Sequence, residues 1–125
     1  MKKIVATDQA PTAIGPYSQA VIHDRLVFTA GSIGLDPKTG AMVAGGVKEQ
    51  AVRVLDNLKA VLAAAGTDMS AVLKTTVYLI KPEDFAAVND IYAGYFKVQP
   101  PARTTVFVSA LPKGALVEID AVAGL

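Results

Sequence analysis

The chain has 125 residues, 52% of them hydrophobic and 18% charged, with no cysteine and a formal net charge of +1. That length suits one domain over residues 1–125, burying about two-thirds of the surface of the unfolded chain. Balanced charge leaves no basic footprint for nucleic acid, and the lack of cysteine excludes disulfides, thiolate catalysis and cysteine-bound metal. No apolar run approaches the ~18 residues of a membrane span, so no membrane association is expected. So apolar a chain is then expected to bury part of its surface against other subunits. The start, MKKIVATDQAP, lacks the apolar segment of a signal peptide. Cytoplasm is the default expectation, with an organelle also open.

Residues 3–6 form a short first strand in this reading, and residues 8–18 an extended loop punctuated by Pro11 and Pro16. Strands are predicted at 19–22 and 26–30, broken at His23-Asp24-Arg25, with a turn at residues 36–40. From 47 to 65 the apolar residues Val47, Ala51, Val54, Leu55, Leu58, Val61, Leu62 and Ala65 recur at helical spacing, and Gly66 is placed to cap the helix in the left-handed region. Residues 73–80 alternate as a strand. A second helix follows over about 85–96, with Phe85, Val88, Ile91, Tyr92 and Tyr95 as its inner stripe.

The last segment, 100–123, reads as two strands joined at Leu111-Pro112-Lys113-Gly114. Pairing Val106 and Val108 with Val117, Ile119 and Ala121 gives one clean core face. Arg103, Thr105, Phe107 and Glu118 then fall together on the opposite face. The predicted order is βββαβαββ, a mixed sheet with both helices on one side. The uncovered face is expected to meet another copy of the chain.

Few residues carry chemistry. The single histidine, His23, reads as a solvated turn residue and supports neither a metal cluster nor a serine triad. Gly45-Gly46 reads as a plain helix start, although its amides also suit an anion. Arg103 stands out, because a guanidinium matches a carboxylate with two parallel donors. It is either a structural partner for Glu118 or Asp120, or a clamp for a small acid. Glu118 is its ion-pair partner or a general base for water. Tyr17 packs or lines a pocket, and Asn89 is exposed or ties down a nearby loop.

Several separated stretches, in order, resemble the RidA/YjgF (reactive intermediate deaminase) family. They are Ala13-Ile14-Gly15-Pro16-Tyr17-Ser18-Gln19-Ala20-Val21, Val88-Asn89-Asp90-Ile91-Tyr92, Pro101-Ala102-Arg103 and Leu111-Pro112-Lys113-Gly114-Ala115-Leu116-Val117-Glu118-Ile119. The resemblance implies a chorismate-mutase-like α/β (α+β) fold and a homotrimer with sites between subunits. It also implies hydrolysis of reactive 2-imino acids, such as 2-iminobutanoate and 2-iminopropanoate, to 2-oxo acids and ammonia, with no metal or organic cofactor. By the same motifs, Arg103 would hold the substrate carboxylate and Glu118 would position or activate water. The main chain at Gly31 and Thr105 would contact the reacting nitrogen or water, and Tyr17 and Asn89 would line or brace the cleft.

Two departures stand out. Relatives often have Ser-Gly-Gln where this chain has Ala30-Gly31-Ser32, and many have cysteine at the position of Thr105. Competing expectations are an endoribonuclease or translation inhibitor, and a non-enzymatic small-acid sensor or holdase chaperone.

Overall fold

Helices cover a single side of a six-stranded sheet in this computed structural model, which describes every residue from Met1 to Leu125. The strands are β1 (Lys3–Val5), β2 (Ala20–His23), β3 (Leu26–Thr29), β4 (Val72–Leu79), β5 (Ala102–Phe107) and β6 (Val117–Gly124); the helices are α1 (Val47–Ala65) and α2 (Phe85–Tyr95). The predicted order of elements holds, with boundaries shifted by a residue or so. The sheet runs β1-β2-β3-β6-β4-β5, and only the β4–β5 pair is parallel. Two crossovers generate this arrangement. α1 carries the chain from β3 to β4, leaving a gap that β6 fills antiparallel to both, and α2 returns it to lay β5 parallel to β4.

The expected β5–β6 hairpin is therefore wrong. β4 separates the two strands and pairs with both. Its alternating burial explains the choice, since Thr75, Val77 and Leu79 are fully enclosed between the sheet and the helices. Across β6, Val117, Ile119, Ala121 and Ala123 continue the same buried face. β5 is instead an exposed edge strand, with Val106 37% and Phe107 47% exposed.

α1 presents the predicted stripe, with Ala51, Val54, Leu55, Leu58, Val61 and Leu62 buried against the sheet. Gly66 ends it at φ +92°, in the left-handed region that glycine adopts without a Cβ clash. At its other end the Glu49 carboxylate accepts the Gly46 N–H at 2.8 Å, so Gly45-Gly46 is indeed a helix start. α2 buries Val88 and Tyr92, while Phe85 remains 38% exposed at the edge. Tyr95 donates a hydrogen bond to Asp56 Oδ1 at 2.7 Å, tying α2 to α1. Burial, then this bond, pushes the phenol up to about 12. No helix is long and apolar enough to cross a membrane.

Candidate functional site

The register along β4 fixes where the two charged candidates point. Arg103 lies opposite Thr75, and Glu118 lies opposite Tyr78. Paired residues share a face, and successive residues alternate. Arg103, Thr105 and Phe107 therefore project to the helix side with Thr75, Val77 and Leu79. Glu118 and Asp120 project to the uncovered side with Tyr78 and Thr76. The expectation that Arg103 and Glu118 share a face is incorrect, and they form no ion pair. The chain's one close approach of a basic to an acidic side chain is that of the exposed His23 to Asp24, 3.4 Å apart, where β2 turns toward β3.

Arg103 sits where the β5 edge meets α2. Its Cζ lies 4.8 Å from the Tyr92 ring centroid and 5.8 Å from that of Phe85. Phe85 leans on Phe107 at 6.5 Å, completing an aromatic wall. Tyr92 is itself fixed by a buried 2.7 Å hydrogen bond between its hydroxyl and that of Thr75. Aromatic faces attract a guanidinium without using its N–H donors. The side chain is thereby positioned while its fork stays available to an external anion. Asn89 lies on α2 one turn from both Phe85 and Tyr92 and is partly buried. Its amide bonds to no loop, so the expected bracing is not built within one chain. Thr105 is partly buried beside Val77, on the edge strand, where half of the main-chain groups have no partner strand.

On the uncovered side Glu118 lies against Gly31. A side chain at Gly31 would put its Cβ 2.0 Å from Glu118 Oε2 and 2.8 Å from its Cδ. The glycine is held there by its neighbour: Ser32 exchanges main-chain hydrogen bonds with Ile119, at 2.8 and 3.1 Å, and its hydroxyl donates to the Val54 carbonyl at 3.0 Å. Burial, and then the negative charge of Asp120, raise the Glu118 carboxyl above its ordinary value. Asp120 in turn accepts the Tyr78 hydroxyl at 3.1 Å. Burial, followed by Asp120, raises Tyr78 as well.

A cavity of about 310 Å³ opens beside Glu118, with Tyr17, Gly31 and Ala30 in its lining. Tyr17 is 49% exposed at its mouth. Its hydroxyl accepts the Ile14 N–H at 3.1 Å, which leaves the phenolic proton free to donate.

Two separate clusters thus occupy one chain. One is an unpaired cation on an aromatic wall, carrying Arg103, Thr105 and Asn89. The other is a carboxyl of raised pKa at a cavity, with Tyr17 and Gly31. Phe85 and Tyr92, expected only as members of the inner stripe, also flank Arg103, a task that follows only from the β4–β5 pairing. Asp120, expected as a possible partner of Arg103, instead faces Tyr78 and Glu118.

The family model described as Endoribonuclease L-PSP matches residues 7–125. Protein DfrA of Myxococcus xanthus is 56% identical over 124 residues, covering 98% of this chain and 95% of that protein. The human 2-iminobutanoate/2-iminopropanoate deaminase is 50% identical over 123 residues, covering 98% of this chain and 90% of its own length. YyfA of Yersinia pestis, described as a protein of unknown function of the conserved Rid family, superposes with a TM-score of 0.97 at 47% identity over the full length of both chains. With half-identity maintained across nearly its whole length, the chain belongs to the RidA/YjgF family.

Proposed function

We propose that this protein is a hydrolase converting reactive 2-imino acids, and their enamine tautomers, to 2-oxo acids and ammonia. The observation that carries the reading is Arg103, a guanidinium positioned by aromatic rings yet neutralised by no carboxylate of its own chain. An α-carboxylate is the handle that every 2-imino acid shares. The imine carbon is already electrophilic, so orientation and a polarised water supply most of what catalysis requires.

In this reading Glu118 takes a proton from water as the water oxygen bonds to the imine carbon, and passes that proton to the imine nitrogen to give a carbinolamine. On collapse Glu118 takes the hydroxyl proton and delivers it to nitrogen as the C=O bond forms and the C–N bond breaks, releasing ammonia and leaving the carboxylate ionised again. Main-chain groups at Gly31 and Thr105 contact the nitrogen or the water, Tyr17 donates from the rim, and Asn89 lines the cleft. The residues needed are supplied without a metal or organic cofactor.

Arg103 and Glu118 lie on opposite faces, so a site using both takes one from each of two copies. A homotrimer with sites between subunits meets that need, each copy acting as one domain in the cytoplasm. The uncovered face has apolar residues to bury in such contacts, including Ile4, Phe28 and Val106.

The test is purified protein with threonine dehydratase and threonine, following 2-oxobutanoate. Acceleration over spontaneous hydrolysis is expected, and Arg103→Ala should abolish it while helicity and assembly mass stay native. Full activity in that variant removes the clamp role. The description of the family model favours RNA cleavage as the second reading. The balanced charge and a lone exposed histidine offer little for it. Cleavage of RNA by highly purified protein, lost in Arg103→Ala, would establish it instead.

A further inference from the structure

We infer that the cavity beside Glu118 is a subsite for the substrate's side chain, suited to branched or aromatic apolar groups rather than to a methyl. This rests on the proposed deaminase reading.

Three substituents leave the reacting carbon of a 2-imino acid. The carboxylate is assigned to Arg103 of a neighbouring copy, and the nitrogen and incoming water to the groups around Glu118 and Gly31. The side chain needs a third direction, and the cavity supplies one. Its mouth lies between Tyr17 and Ile14, 49% and 56% exposed, and its walls include Ile33, Leu35, Leu58 and Val61.

Hydrogen-bond accounting sets the character of the space. Gln19 Nε2 donates to the carbonyls of Thr7 and Pro11 at 3.0 and 2.8 Å, and its Oε1 accepts the Thr7 N–H at 2.7 Å. Asn57 Nδ2 donates to the Leu35 and Ile33 carbonyls at 2.9 and 3.3 Å, and its Oδ1 accepts from Arg53 Nε at 3.0 Å. The Ser32 hydroxyl is committed to Val54, and Thr29 Oγ1 accepts the Ala121 N–H at 3.0 Å. Thr12 is on the solvent rim. The polar groups left free at the cavity are the Glu118 carboxyl, the Gly31 main chain and the hydroxyl protons of Tyr17 and Thr29, whereas the side chains of Ile33, Leu35, Leu58 and Val61 present only carbon. A polar substituent laid against those side chains would lose its water without finding a partner. An apolar one loses nothing.

Size agrees. About 310 Å³ lies at the lower end of the range for small-molecule sites. A methyl would leave most of it empty. Each methylene moved from water to such a wall favours binding roughly three- to four-fold.

The experiment uses the full chain and imino acids generated in place by an amino-acid oxidase from leucine and from alanine, reading 2-oxo acid release above the spontaneous rate. The leucine-derived imine should show kcat/KM higher by about ten-fold or more. Ile33→Phe fills part of the cavity and should bring the ratio toward one, with circular dichroism and melting checking the fold; Val61→Leu adds a single methylene and should lower the ratio by a smaller step, so it keeps the test open if Ile33→Phe misfolds. A preference for the alanine-derived imine, or a ratio that neither variant moves, overturns the subsite. Should neither imine be turned over, the deaminase reading fails and calorimetry decides the cavity separately. Tighter binding of 4-methyl-2-oxopentanoate than of pyruvate, reduced in Val61→Leu, supports it. Equal binding, or none, overturns it.

Discussion

Gly31→Ala tests the proposed role of Glu118 with the least disturbance to the fold. The new Cβ would lie 2.0 Å from Glu118 Oε2, 2.8 Å from Cδ and 3.1 Å from Cγ, with no main-chain atom among its nearest neighbours. Ordinary contact needs about 3.5 Å, so the carboxylate must retreat by roughly 1.5 Å. Glu118 has room to do so, because it is the far end of a flexible side chain on the uncovered face. The φ angle at Gly31 lies outside the left-handed region, so alanine brings no backbone strain there. Restricting the unfolded chain even favours the variant by about 0.4–1 kcal/mol. Stability and activity should therefore part company. A 1 Å misplacement can cost about 100-fold. The expected result is a kcat for 2-oxo acid formation reduced about 100-fold, with a melting temperature unchanged or a few degrees higher. Activity within about three-fold of native at unchanged Tm would refute the reasoning, since the displaced carboxylate would then have no part in turnover. A Tm several degrees lower would show that the main chain moved instead.

Two further perturbations separate positioning from architecture. Tyr92→Phe keeps the ring beside Arg103 but strands the buried Thr75 hydroxyl; it should cost about 1–3 kcal/mol of stability in denaturant unfolding and leave KM near native. Tyr92→Leu also removes the ring, and KM should rise roughly two- to five-fold as the cation–π contact is lost; equal KM values in both variants would deny the ring its positioning role. Asp120→Asn addresses pH. Its negative charge helps to hold the Glu118 carboxyl above its ordinary value, and a carboxyl in the base role proposed for Glu118 must be ionised to act. Removing that charge should move the acid limb of the kcat/KM profile to lower pH, whereas an unmoved limb would leave desolvation as the sole cause.

The parts of the fold that local periodicity encodes were legible in the sequence. α1 could be read because the stripe from Ala51 to Leu62 repeats every three or four residues and Gly66 stops it. Within each strand, alternation correctly separated Arg103, Thr105 and Phe107 from Thr104 and Val106, and Glu118 and Asp120 from Ile119. What alternation cannot carry is which strands are neighbours. Val106 and Val108 look like core residues, and treating them so turned β5 over by one residue and made a hairpin of strands that β4 separates. In the sheet it is Val106, through Tyr78, that shares a face with Glu118, and it remains 37% exposed.

That misreading has a physical root that bears on function. An edge strand with apolar residues on one face and an unpaired arginine on the other is unfinished on both, and such edges are usually covered or blunted. The Glu118 face is unfinished too, with Phe28 and Ile4 among its exposed residues and a cavity that opens without a cation to meet a carboxylate. Each surface lacks what the other offers. If the two roles proposed for Arg103 and Glu118 belong to one reaction, the reaction needs the β5 edge of one copy against the uncovered face of another. Catalysis and assembly would then be lost together by substitutions on that face, such as a charge at Val106, that touch neither Arg103 nor Glu118.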